Sequence, residues 1–153
     1  MTLLLTEKLT KSYEEAFILG PVDISLDGGK TVAFLGKNGA GKSTLFQLLT
    51  GNLDATDGLV RIAGKRLTPD TPEHKKLIGY LPQKHVLPKW VTGQEVLRYA
   101  AGLYGINDAH SKLKQSMEYW DCASYAKKPL AALSHGMKKR VALALATLND
   151  LSY

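Results

Sequence analysis

A chain of 153 residues has room for one ordinary domain with a sizeable core and none for a second of similar size. Its 44% hydrophobic and 22% charged residues, free of low-complexity tracts, exclude a largely disordered chain, and its longest apolar run, Val141 to Leu148, falls far short of the roughly 20 residues that cross a bilayer. The net charge of +6 comes from scattered basic residues without the interleaved aromatics that base stacking uses, so no direct nucleic-acid contact is expected.

At the N-terminus, Leu3 to Leu5 is cut off by Glu7, too short for a signal-peptide core. The lone Cys122 can form no internal disulfide and has no metal-ligand partner at a recognised spacing. Both features point to a cytoplasmic chain.

Val22, Ile24 and Leu26 alternate with Asp23 and Ser25, which predicts a half-buried strand turned back by Asp27-Gly28-Gly29. The second arm of that hairpin, from Thr31, is continuously apolar and predicts a strand buried on both faces. Gly58 to Ile62 and Leu67 bracket Gly64-Lys65 as another hairpin, and residues 76 to 81, KLIGYL, read as a further strand ending at Pro82. The front half is expected to be a mixed sheet.

From Thr92 the period becomes helical. Thr92-x-x-Glu95 is a capping box, with Val96, Ala100 and Leu103 on one stripe. Leu113, Met117 and Trp120 predict a second helix, interrupted before Pro129. Ser134 can cap a third, with Val141, Leu145 and Leu148 along one face and alanines favouring helix over strand.

Between strand and helix patterns lies FLGKNGAGKSTLFQLL, residues 34 to 49. Gly36-x-x-x-x-Gly41-Lys42-Ser43 has the spacing of a phosphate loop. Glycines let the backbone N–H groups of Asn38, Gly39, Ala40 and Gly41 turn inward without an intervening Cβ, and the following helix N-terminus favours anions. Lys42 brings a cation to the terminal phosphates. Ser43 offers a hydroxyl to Mg²⁺, and Thr44 one to a nearer phosphate.

With the phosphate loop, three further segments resemble, in order, the nucleotide-binding subunit of ATP-binding cassette transporters. Tyr13 stands where that family stacks an aromatic on adenine. Gln83 in YLPQ is similar to the glutamine that contacts Mg²⁺ or the attacking water and signals to the membrane partner. LSHGMKKR, residues 133 to 140, resembles the family signature, in which Ser134 and Gly136 would face the γ-phosphate bound on a second subunit. His135 and Met137 depart from the usual glycine and glutamine, and the Met-Lys-Lys-Arg run is like that of members serving exporters.

The resemblance implies an α/β P-loop NTPase fold with an antiparallel β-hairpin layer and a helical subdomain over about 93 to 142. It implies ATP and Mg²⁺ as ligands, Lys42 and Gln83 in catalysis, and a homodimer or heterodimer formed through the signature. The segment from Trp90 to Ile106 resembles the part that docks on an integral-membrane subunit, which would hold the chain at the cytoplasmic face of the membrane. The family also carries an apolar strand closing on Asp-Glu, whose Glu is the general base. No such strand is found here: the stretch before Asp150 is alanine-rich and reads as helix, and none of His74, His85, His110 or His135 matches the family's switch histidine. The chain is therefore expected to correspond to a domain without its last third and to hydrolyse ATP poorly or not at all alone. A non-hydrolysing nucleotide-binding fragment is the alternative reading, and a soluble ATPase acting on nucleic acid or ribosomes a further one.

Overall fold

The computed structural model describes residues 2–13, 17–68, 70, 76–83 and 88–149. They fall into two compact units, residues 1–77 and 78–152.

The first unit is built on a four-stranded antiparallel sheet of order β2-β1-β3-β4, with β1 Thr2–Tyr13, β2 Phe17–Asp27, β3 Asp57–Ile62 and β4 Lys65–Leu67. Leu4 faces Leu26 and Ile62, and Thr6 faces Ile24 and Val60, so one sheet face collects the apolar side chains. Where β1 slips register after Thr6, its buried hydroxyl donates to the Val22 carbonyl and accepts from the Ile24 N–H, both at 2.9 Å. The slip thus leaves no orphaned donor there. Gly58, at φ 80°, meets β1 so closely that a Cβ would lie 2.4 Å from the Glu7 and Lys8 carbonyl oxygens; only glycine fits. Helix α1, Lys42–Leu49, buries Leu45, Leu48 and Leu49, and its Leu48 lines a small groove with Leu9, Val60 and Leu67 of the sheet. Each such side chain contributes about 1.5–3 kcal/mol on burial.

The predicted hairpin at residues 58 to 67 forms, across the left-handed pair Ala63 and Gly64. Three strand expectations are corrected. The strand ending at Asp27 pairs with β1, because a long complementary strand precedes it, and not with Thr31–Leu35. Among the described residues nothing hydrogen-bonds alongside Thr31–Gly36 as a strand, and Val32 and Leu35 are 45% and 93% exposed. Residues 76 to 81 form a turn at Lys76-Leu77 followed by irregular chain, again with no partner strand among the described residues. The described sheet is antiparallel throughout, not mixed.

The second unit holds α2 Gly93–Tyr104, α3 Ala109–Tyr119, a 3₁₀ turn Leu130–Ala132 and α4 His135–Ala146. The capping box closes α2 as expected: Thr92 accepts from the Glu95 N–H at 3.2 Å, and Glu95 accepts from the Thr92 N–H at 2.8 Å. The Thr92 N–H, and with it the Thr92 hydroxyl, both donating to the carboxylate at 2.8 Å, hold the Glu95 carboxyl below the usual carboxylate range. The buried stripe of α2 is Leu97, Ala100 and Ala101, so the expected stripe of Val96, Ala100 and Leu103 is about a quarter-turn off, with Leu103 60% exposed. Neighbouring helices decide which of two adjacent apolar faces is covered. Leu113, Val141 and Leu148 join Leu97 in one core with Cys122, Leu130 and Leu133. Gly93 lets α2 start against α4: a Cβ there would lie 3.1 Å from the Val141 methyls. Leu130 N–H to Val91 O and Ala131 N–H to Lys89 O tie the 3₁₀ turn to the entry of α2. None of the described helices is long and apolar enough to cross a membrane.

Candidate functional site

The Gly36–Ser43 loop runs from irregular, exposed chain into α1. Gly39 and Gly41 take φ of 84° and 88°, left-handed values that let successive N–H groups converge, and a Cβ at Gly39 would meet nothing within 4 Å. Ala40 N–H closes the turn on the Lys37 carbonyl at 3.2 Å, and Leu45 N–H bonds the Gly41 carbonyl at 2.8 Å to start the helix. Gly41 caps α1 without a side chain, and no acid stands in the first turn. The first N–H groups of α1 therefore meet no competing side-chain acceptor, and the helix dipole adds a positive end.

Lys42 folds back over its own loop, its Nζ donating to the Gly36 and Lys37 carbonyls at 2.6 and 2.8 Å. Sequence spacing does not reveal this latch, which depends on the loop's path. Neither the Ser43 nor the Thr44 hydroxyl has a protein partner among the described residues, and Ser43 is exposed. Phe34 and Phe46 stack edge to face, with centroids 5.5 Å apart, on either side of the loop in sequence. Tyr13 ends β1 as a 42% exposed ring with the Lys11 ammonium 5.4 Å from its centroid.

Gln83, Ser134 and Gly136 belong to the second unit. Gln83 is exposed on a bend. Ser134 caps α4 by accepting from the Met137 N–H at 3.3 Å. A Cβ at Gly136 would meet nothing within 4 Å, so the space beside it is open on the protein's side. His135 is exposed at the start of α4, and Met137 packs against the core. His110 is exposed on α3, while His74, His85 and Asp150 lie outside the described residues.

A second polar cluster escaped sequence reading. Arg140 reaches the Asp121 carboxylate and, at 3.2 Å, its carbonyl; the Tyr125 hydroxyl donates to the same carbonyl at 3.0 Å. Burial pushes the Tyr125 phenol and the nearby Cys122 thiol up from their ordinary values. Arg140 lies 19 residues from Asp121 in sequence and 15 from Tyr125, so its place in the cluster carries no local signal. Among the described residues no group of His, Cys, Asp and Glu is placed to hold a metal.

The family description "ABC transporter" matches residues 19–152. The chain is 34% identical over 145 residues to the uncharacterized ABC transporter ATP-binding protein YxlF of Bacillus subtilis, and 29% identical over 149 residues to the linearmycin resistance ATP-binding protein LnrL of the same organism. The matches cover 94% and 96% of this chain, which spans about half, 48%, of either relative. A solved structure titled as the ATP binding subunit of an ABC transporter superimposes with a TM-score of 0.86 at 33% identity, covering 97% of this chain and 62% of that one. The nucleotide-free ATP-binding cassette of an ABC transporter gives 0.79 at 26% identity, over 98% of this chain and 66% of that one. A phosphate loop opening α1, a Ser-capped helix over residues 135–146 and a family match over nearly the whole length converge: the chain belongs to the ATP-binding proteins of the ABC transporter family.

Proposed function

We propose that this chain is the ATP-binding part of an ABC-type transporter, in which Mg-ATP held by the Gly36–Thr44 loop drives work in an integral-membrane partner. The observation that carries the reading is the loop: two left-handed glycines, a helix cap without a side chain, open space at Gly39, and Ser43 and Thr44 hydroxyls without partners among the described residues. N–H groups from Asn38 to Thr44 bind phosphate oxygens, and Lys42 leaves the Gly36 and Lys37 carbonyls for the terminal phosphates. Ser43 and Gln83 would offer hard oxygen donors of the kind Mg²⁺ takes, and the ion would supply neutralising charge to the phosphates. Tyr13 stacks on adenine.

Ser134 and Gly136 of a second copy, identical or homologous, close on the γ-phosphate and complete the site. The helical subdomain over about 93 to 142 docks on the membrane subunit through the Trp90–Ile106 segment, where Trp90 and Tyr99 are 80% and 72% exposed. That docking keeps the protein peripheral on the cytoplasmic face. Hydrolysis and coupling to transport are proposed for the whole protein, of whose curated relatives this chain spans about half. Calorimetric titration of the protein with Mg-ATP tests the reading. Saturable binding that weakens when EDTA removes the metal is expected; no saturable heat up to about 1 mM ATP in folded protein would overturn it.

A further inference from the structure

Helix α4 turns the outer face of its first turns to solvent, while Met137 and the preceding Leu133 stay against the core. Val141, Ala142 and Ala144 are buried, whereas His135, Gly136, Lys139 and Arg140 are exposed. At 1.5 Å per residue, Gly136 lies about 7.5 Å along the axis from Val141. A group that must meet a phosphate to within about 0.5 Å then tolerates a tilt of only about 4° about Val141. The Ser134 cap satisfies an N–H but sets no direction; Leu133 and Met137 pack this end on the core, and a second, polar contact further along the helix is needed to fix its tilt.

Three residues at helical spacing on α4 make polar contacts with α3 and the turn after it. Thr147 Oγ1 accepts from Trp120 Nε1 at 2.8 Å, the Ala144 carbonyl accepts from Ser116 Oγ at 3.2 Å, and Arg140 grips Asp121. Of these only Arg140 lies on the N-terminal side of Val141, where it has leverage on the first turn. Asp121 stands at φ 49°, in the left-handed region where glycine rests with less strain. Its side chain is 84% exposed and fills no core, so what it contributes there is its carboxylate. An ion pair this exposed adds little to stability. Its consequence is orientation.

We infer that Arg140 is a positioning residue: by clasping Asp121 it fixes the direction in which α4 presents Ser134 and Gly136. The inference rests on the proposed closure of that end on the γ-phosphate of ATP held by a second copy, and it adds the group that aims the helix.

The test uses Arg140→Gln and Asp121→Gly. Asp121→Gly relieves the backbone while removing the clasp, so a merely structural pair and a positioning pair differ in what it does. Spin labels at His135→Cys and Gln115→Cys, in a Cys122→Ala background, report the angle of the α4 end to α3 by pulsed electron resonance, without need of nucleotide. Both variants are expected to broaden the distance distribution while Asp121→Gly melts at or above the parent's temperature. In unlabelled protein, Mg-ATP-driven pairing of two copies, read by analytical ultracentrifugation, should weaken up to about 5-fold, the most that an ion pair this exposed can supply, with ATP affinity unchanged. Unchanged distance distributions in folded variants would overturn the inference, as would a broadening that appears only together with a lower melting temperature. Failure of the parent protein to pair with Mg-ATP would instead overturn the proposed site closure, leaving the distances to decide the role of Arg140.

Discussion

Lys42→Ala tests the loop at the point where its free and bound states compete for one charge. In the free protein the ammonium is already satisfied by the Gly36 and Lys37 carbonyls at 2.6 and 2.8 Å. Binding ATP exchanges two neutral acceptors for charged phosphate oxygens. A unit charge pair about 4 Å apart at an effective dielectric of about 20 gains roughly 4 kcal/mol. Giving up two exposed carbonyl contacts, at about 1 kcal/mol each, returns roughly half of that. A net of about 2 kcal/mol corresponds to about a 30-fold weaker Kd for Mg-ATP. Gly36 and Lys37 are exposed, so their freed carbonyls turn to water and the variant should melt within a few degrees of the parent. Isothermal titration calorimetry reads the Kd, and circular dichroism confirms the fold. Equal affinity for parent and variant would refute the argument, and a loss far above 100-fold would mean that the latch in the free protein opposes binding less than its distances imply.

Thr92→Ala removes the accepting half of the α2 capping box and should cost about 1 kcal/mol in urea denaturation. Because the folded Glu95 pKa lies below its ordinary value of 4.5, the stability its ionised form contributes is present above that pH and lost as pH falls through the folded value. The gap between parent and Glu95→Gln should therefore close below pH 4.5, and a gap that persists into stronger acid would contradict it. With Val32 and Leu35 exposed, the 153-residue chain purified alone should self-associate in light scattering, and Leu35→Ser should reduce it; a monomer that melts cooperatively would sink this expectation. The same chain should bind Mg-ATP yet release no phosphate attributable to its own site, since its 153 residues contain no Asp-Glu pair. Steady release abolished by Lys42→Ala would show that another acid, Asp150 first, serves as base.

The local features were legible in the sequence because each is written within a few residues. The glycine spacing around Lys42, the Thr92–Glu95 box, the Ser134 cap and the hairpin of residues 58 to 67 all act over a short stretch of chain, and the structure contains each of them, with the hairpin turn at Ala63-Gly64, one residue before the expected Gly64-Lys65. An apolar run such as Thr31–Leu35, by contrast, says only that its side chains favour burial. Whether it becomes a strand depends on a partner at hydrogen-bonding distance, and none stands beside it among the described residues. β1, whose Glu7, Lys8 and Lys11 blur any alternation, becomes a central strand because β2 and β3 flank it. The Arg140–Asp121 clasp and the choice of Leu97 over Leu103 for the core were likewise decided by how α2, α3 and α4 pack. Spacing along the chain determines turns, caps and backbone nests; the pairing of edges and the aim of helices follow from contacts between distant residues, which only the tertiary structure supplies.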